Sequence, residues 1–273
     1  VGFGERIAIK SRREIEQMRE IGQQTGEILL ELRERAQPGV TTGELDEIAA
    51  KALKKRGLIS PFLGYAPGGV APYPAVLCAS VNDEIVHGIP GLRELQEGDI
   101  ISLDFGAVDR VEPRSATAAT KGWHGDTAIT IAVGEIDSEA KRLIDTTRAA
   151  LEKGIEQMVP GDRLSDIGFA VQDYVEREGF GVVRQFVGHG IGREMHEPPQ
   201  VPNYGRPGRG PRLRAGMIFA IEPMVNIGSE KVRVLEDEWT AVTADGSLSA
   251  HFEHTVLITD NGPEVLTRIP GSH

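Results

Sequence analysis

The sequence predicts an α+β fold in which helices cover one face of an antiparallel sheet, and three observations point to it. Amphipathic helical segments come in two pairs, and a β-rich segment follows each pair. The two pairs also share their punctuation, because Pro38 to Gly57 and Pro160 to Gly179 have the same separation. Two similar halves, about 11–133 and 138–266, can pack into one sheet with helices on a single face. Functional groups then belong on the opposite face, where the halves meet. No low-complexity linker divides the halves, so residues 1–273 read as a single catalytic domain.

The elements follow in order. From about Ser11 to Arg35, the residues Ile15, Met18, Ile21, Ile28, Leu29 and Leu32 recur at three- and four-residue spacing, the stripe of a surface helix. Pro38-Gly39 stops it. Thr41-Thr-Gly-Glu44 reads as a capping box that starts a second helix running to Gly57. Ser138 to Met158 is a third amphipathic run, stopped by Pro160-Gly161. Leu164, Ile167, Val171, Tyr174 and Val175 mark a fourth, ending at Gly179. The β-rich segments are Val76–Val133 and Val182–Leu266.

Composition excludes several functions. The formal net charge of −11 opposes nucleic acid as the main ligand, since phosphate binding needs clustered cations, so no specific DNA partner is expected. The exception is the basic stretch Arg206 to Arg214, too rich in Gly and Pro for a helix. It reads as a solvated loop, with a contact to ribosomal RNA or an acidic partner as the alternative. No run approaches the roughly 18 apolar residues of a membrane span, and the first residues lack the apolar core of a signal peptide, so a cytoplasmic protein is expected; a monomer is the separate expectation for its assembly. Cys78 is the sole cysteine, which leaves any metal to nitrogen and oxygen ligands.

Those ligands are present. Ile100 to Val108 alternates as a strand, with Leu103 and Phe105 on one face and Asp104 on the other. A lone Asp in a strand is more often a hydrogen-bonded surface residue than a ligand. The strand from His124 to Val133 begins with Asp126, and pairing the two as a hairpin brings both aspartates to one point. His189 lies between glycines in Phe186 to Gly192, read as a tight turn that presents the imidazole without crowding. A phosphate loop is the competing reading, and no Lys or Ser/Thr follows at the required spacing. Met217 to Val225 is an apolar strand interrupted by Glu222, and His251 to Thr259 is a strand carrying Glu253. A carboxylate in such a strand is costly to bury unless it meets a cation. The helical zinc-protease signature is absent. Asp104, Asp126, His189, Glu222 and Glu253 together carry about four negative charges, which two divalent cations cancel. The donor set suits Co, Mn, Fe, Ni or Zn, and two such ions about 3.5 Å apart can activate water and polarise a carbonyl.

The motifs LDFG, HGDT, GHGIG, IEPM and FEHT, in that order, resemble the type I methionine aminopeptidases over essentially the whole chain. The resemblance implies the pita-bread fold and an enzyme that removes the initiator methionine from nascent proteins with a small second residue. By this similarity Asp104 chelates one metal, Asp126 and Glu253 bridge both, and His189 and Glu222 complete the other ion's shell. It further implies that a metal-bridging hydroxide attacks the first peptide carbonyl while Glu222 shuttles the proton. His196 steadies the oxyanion and His87 contacts the scissile amide. Tyr65, Tyr73, Cys78, Met195 and Trp239 match the methionine pocket, although Met195 stands where the family often has Phe. Two segments depart from the family pattern: Ala66 to Pro72 is longer than usual, and a polar insertion at 109–122 replaces a short turn. No zinc-binding extension precedes Ser11, as in the short bacterial form. The rival readings are a proline-specific aminopeptidase of the same fold, which usually carries a further N-terminal domain, and a binding module that has lost catalysis.

Overall fold

The computed structural model describes residues 6–109 and 122–269. Four helices form where the spacing predicts them: α1 (Arg12–Arg35), α2 (Thr42–Arg56), α3 (Ser138–Glu156) and α4 (Leu164–Arg177). The first three begin at a side chain that satisfies free backbone N–H groups. Ser11 and Glu14 close a reciprocal box on α1, Thr41 and Glu44 do the same on α2, and the Asp137 carboxylate accepts from Glu139 and Ala140 on α3. On α4 the Asp166 carboxylate accepts from Arg163 N at 2.8 Å. Gly57 ends α2 with φ of 71°, a left-handed cap that favours glycine. The stripe on α1 buries Met18, Ile21, Ile28 and Leu32 to 2% exposure or less. Each such side chain contributes roughly 1.5–3 kcal/mol.

The strands are β1 (Cys78–Val81), β2 (Glu84–Val86), β3 (Ile100–Val108), β4 (His124–Ala132), β5 (Gly181–Val182), β6 (Gly188–Gly190) and β7 (Glu197–Val201), followed by β8 (Ile218–Ile221), β9 (Met224–Asn226), β10 (Val232–Val234), β11 (Ala241–Thr243), β12 (Ser249–His251), β13 (Glu253–Thr259) and β14 (Gly262–Val265). The main sheet runs β1-β3-β4-β13-β8-β6-β7, with β14 also on β13, and every pairing in it is antiparallel. Two smaller sheets, β10-β11-β2 and β12-β9-β5, flank it. One face of β3 points Leu103 and Phe105 into a core shared with Met18, Ile21 and Ile28 of α1. The other face carries Asp104. This is the curled antiparallel sheet with helices of the pita-bread fold.

Three local expectations are corrected. The single strand expected from Met217 to Val225 is two strands, β8 and β9, in different sheets, and Glu222 and Pro223 form the break. Proline has no N–H for the ladder, so the chain leaves the main sheet there. The strand expected from His251 to Thr259 likewise divides at Phe252 into β12 and β13. His189 lies on strand β6 and not in a turn. Its flanking glycines serve close packing, because a Cβ on Gly188 would sit 2.4 Å from the Ala220 carbonyl and one on Gly190 2.3 Å from that of Pro198.

The basic stretch is non-helical, as read, and folds against the start of α4. Leu164 N donates to Pro211 O at 3.0 Å, and the Arg163 and Arg212 guanidinium groups donate to the carbonyls of Gly210 and Gly161. Of the insertion at 109–122, residues 110–121 lie outside the described residues. Among the described residues no helix is long and apolar enough to cross a membrane.

Candidate metal centre

The hairpin of β3 and β4 brings the first two carboxylates together. Asp104 pairs with Ala128 and Gly106 with Asp126, so Asp104, Gly106 and Asp126 share one face of the sheet. A side chain at Gly106 would meet Pro61, Phe62 and Met195 at 2.8–3.1 Å, so the glycine lets that lining close over the two aspartates. Glu253 also lies opposite Ala128, from β13, and His189 lies opposite Ala220 on β8. Glu222 enters from the break that ends β8. Four separate strands thus converge on one patch.

The distances make it a candidate ligand cluster. Ligand atoms of Asp126, His189 and Glu253 lie within 4.8 Å of one another, and all three residues are buried. His189 Nε2 is 3.7 Å from Asp126 Oδ2 and 3.6 Å from Glu222 Oε1. Its Nδ1 is 2.9 Å from the Gly190 carbonyl and must donate there, because a carbonyl only accepts. In the neutral ring Nε2 therefore bears the lone pair. Burial holds this imidazole neutral, with its pKa lowered to about 3.

The carboxylates are ill at ease without cations. Asp104 Oδ1, Asp126 Oδ1 and Glu253 Oε1 are buried and have no hydrogen-bond partner. Asp104 as a residue is only partly buried, yet burial around its carboxyl raises its pKa to about 7. Asp126, Glu222 and Glu253 are pushed well above the usual carboxylate range, by burial first and by neighbouring carboxylate charge second: that of Asp104 on Asp126, of Asp126 and Asp104 on Glu222, and of Asp126, Glu222 and Asp104 on Glu253. Orphaned oxygens, mutual repulsion and a lone pair on Nε2 all call for cations, so the residues present fit divalent metal ions.

Other residues from the sequence reading lie around this patch. Cys78 pairs with Asp104 across β1 and β3, and its thiol is pushed up by burial and by the Asp104 charge. Tyr73, Ala75 and Cys78 form a buried cluster against which Phe62, Ile89 and Trp239 pack, with the Tyr73 and Trp239 rings 5.1 Å apart, edge to face. The His196 ring lies 4.4 Å from that of His189, and the Tyr65 hydroxyl is 3.4 Å from His196 Nδ1. His87 packs edge to face on Phe186 at 5.3 Å and on Trp239 at 6.0 Å, and burial lowers its pKa to about 4. Met195 packs against the core that surrounds β3, and its methyl reaches the space above Gly106 beside Phe62, which packs on the Tyr73 cluster.

Sequence reasoning missed His251, buried with Nε2 3.8 Å from Glu222 Oε2. The available signal was a histidine two residues before Glu253, at the start of the strand expected from His251 to Thr259. It also missed Phe62, Ile89 and Phe186, whose roles depend on loop contacts without local periodicity. A cavity of about 1000 Å³ lies on the opposite face of the sheet, between α1 and α3. It is lined by Leu29, Ile129, Ile144 and His254 and holds none of the clustered ligands.

Fold and ligand set together define a metal-dependent peptidase: the family model of the metallopeptidase family M24 matches residues 16–260, and the chain belongs to that family. Within it the chain groups with the methionine aminopeptidases. It is 52% identical over 262 residues to the methionine aminopeptidase of Clostridium acetobutylicum, covering 96% of this chain and 98% of the relative. The crystal structure of methionine aminopeptidase from Thermotoga maritima superimposes with a TM-score of 0.88 at 46% identity, covering 97% of this chain and 100% of that one. A more distant structure, the Xaa-Pro dipeptidase from Bacillus anthracis, shares the fold alone, with a TM-score of 0.73 at 23% identity over 97% of this chain and 63% of its own.

Proposed function

We propose that the protein removes N-terminal methionine from peptides and nascent chains, with two divalent ions held by Asp104, Asp126, His189, Glu222 and Glu253. The observation that carries this reading is the convergence of four carboxylates, three of them with orphaned oxygens, on a histidine whose Nε2 is free to ligate. When bound, the ions supply Lewis acidity and an activated water. The remaining work falls to the chain. The aromatic and sulfur surface of Tyr73, Cys78 and Trp239 takes up the thioether side chain, which suits soft, polarisable contacts. Tyr65 and Met195 border that pocket in this reading.

Hydrolysis adds water oxygen to the methionyl carbonyl carbon and breaks the C–N bond. Glu222 receives one of the water's protons and passes it to the leaving amine nitrogen, a general acid–base role open to a carboxylate. His196 donates to the carbonyl oxygen as negative charge develops there. His87, neutral at physiological pH, contacts the scissile amide. The site acts in the cytoplasm, as a monomer. The arginines at 206, 209, 212 and 214 are proposed to meet the ribosome, and their replacement by Ala should weaken co-sedimentation.

The test is metal-dependent release of Met from Met-Ala-Ser, with Pro-Ala-Ser untouched. Folded protein that takes up Co²⁺ or Mn²⁺ and leaves the first peptide intact would refute the assignment. Cleavage of the second would favour a proline-specific enzyme.

A further inference from the structure

His251 closes β12, and its backbone is fixed by one hydroxyl. Its N–H donates to Thr130 Oγ1 at 2.8 Å, and its carbonyl accepts from the same Oγ1 at 2.8 Å. Thr130 has thereby used its single proton, so Ser102, 2.8 Å away, must donate to it. Ser102 and Thr130 are paired in register on the face that carries Asp104, one step along the hairpin. The imidazole is consequently aimed into the metal-ligand patch by a rigid polar support. It is 1% exposed, and neither ring nitrogen has a hydrogen-bond partner.

What the ring faces is Glu222, with His87 also close enough to affect its charge. The Glu222 carboxylate sits between two imidazoles, Oε1 3.6 Å from His189 Nε2 and Oε2 3.8 Å from His251 Nε2. These two contacts differ in kind. The Gly190 carbonyl fixes the His189 tautomer so that Nε2 is an acceptor, and two acceptors can share only a cation. No partner fixes the tautomer of His251, so its Nε2 is free to carry a proton and donate.

We infer that His251 is a positioning residue for Glu222: its Nε2–H holds Oε2 and so turns Oε1 toward the ion shared with His189. The gap of 3.8 Å exceeds hydrogen-bond length and closes with less than about 1 Å of side-chain movement. A carboxylate ligand anchored through its outer oxygen loses less freedom when it takes up metal, and loss of such an anchor typically weakens metal binding by roughly 10–100-fold. This inference rests on the metal centre proposed above.

The test is calorimetric titration of the chelator-stripped protein with Co²⁺, followed in parallel by visible absorbance. Wild type should bind two ions. His251→Leu should bind one as before and the other roughly 10–100-fold more weakly, with an altered Co²⁺ spectrum. His251→Gln retains a donor of similar reach and should restore the affinity. His251→Asn, too short to reach Glu222, should behave like the Leu variant and stands in for it if Leu fails to fold. Unchanged Co²⁺ affinity in both Leu and Asn variants would overturn the inference, and so would a Gln variant as weak as either. Fewer than two ions bound by wild type would instead refute the metal centre.

Discussion

Replacing Asp104 by Asn should stabilise the metal-free protein at neutral pH and destabilise the metal-loaded one. Burial raises the Asp104 carboxyl from its ordinary 3.8 to about 7, so without metal the folded state binds this proton more tightly than the unfolded state does. The associated stability is complete below about pH 4 and is lost as pH rises through about 7. At about 1.36 kcal/mol per unit, the deficit is roughly 1 kcal/mol at pH 4.5 and roughly 4 kcal/mol at pH 8. Asn removes the titrating group and should recover that difference. At roughly 2 °C per kcal/mol, the metal-free variant should melt about 8 °C above wild type at pH 8 and about 2 °C above it at pH 4.5. The comparison with wild type matters, because buried neutral histidines such as His189 and His251, whose pKa values are lowered to about 3, lose stability in the opposite direction as pH falls. Both proteins carry those histidines, so their contribution cancels. Thermal melts in EDTA across pH 4.5–8 provide the assay. A difference that stays flat, or shrinks toward pH 8, would refute the account of Asp104 as a carboxylate held for a cation.

Other outcomes follow from particular contacts. Glu222→Gln keeps the shape but cannot accept the proton, and kcat on Met-Ala-Ser should fall by roughly 10²–10⁴; wild-type turnover would remove Glu222 from proton transfer. Gly188→Ala places a Cβ 2.4 Å from the Ala220 carbonyl and must part β6 from β8. Urea titration should show a loss of about 1–3 kcal/mol, and bound metal should fall as His189 moves. Lys10→Met strips the cation from Glu197, 2.5 Å away with side chains only 6% and 13% exposed, leaving that carboxylate only backbone N–H donors such as Arg193 N at 2.7 Å, and should cost up to about 3–5 kcal/mol. Adding Glu197→Gln should recover most of it, which melting of the single and double variants will show. Saturating the wild type with Mn²⁺ at about 100 times Kd should raise its stability by about 2.7 kcal/mol per site, about 5 kcal/mol for both ions, over the chelated form, measured by urea denaturation.

Much of this was legible because the signals are local. Helix bounds follow from capping boxes and glycines within a few residues of each end, and the Asp104 and Asp126 pairing follows from two alternating strands joined as a hairpin. What escaped depends on contacts distant in sequence. The glycines around His189 looked like a turn, since nothing near them reveals that Ala220 and Pro198 press on the strand. Glu222 looked like a mid-strand residue because the apolar run continues past it. That run is shared by two strands, each buried in a different sheet, and hydropathy does not change when the chain moves from one sheet to the other. His251 stayed hidden for the same reason. Its meaning lies in Glu222, 29 positions earlier, and only the strand order brings them together.

On the proposed roles, the same strand order separates chemistry from selection. The ligand carboxylates and His189 sit on the main sheet or at the breaks where its strands end, positions set by ladders that a substitution elsewhere scarcely moves. The residues proposed to take up methionine are arranged differently. Tyr65 and Tyr73 frame a loop closed by their own backbone bonds, Tyr73 N to Tyr65 O and Gly64 N to Tyr73 O, each 2.8 Å. Trp239 clasps that loop from a different part of the chain, its indole N–H donating to the Ala71 carbonyl at 2.8 Å. The sheet therefore need not change for the substrate to change. On the proposed roles, Trp239→Phe keeps the ring and removes the clasp. It should raise KM for Met-Ala-Ser while leaving Co²⁺ stoichiometry at the wild-type value, and a loss of bound metal in that variant would show that loop and sheet are not separable.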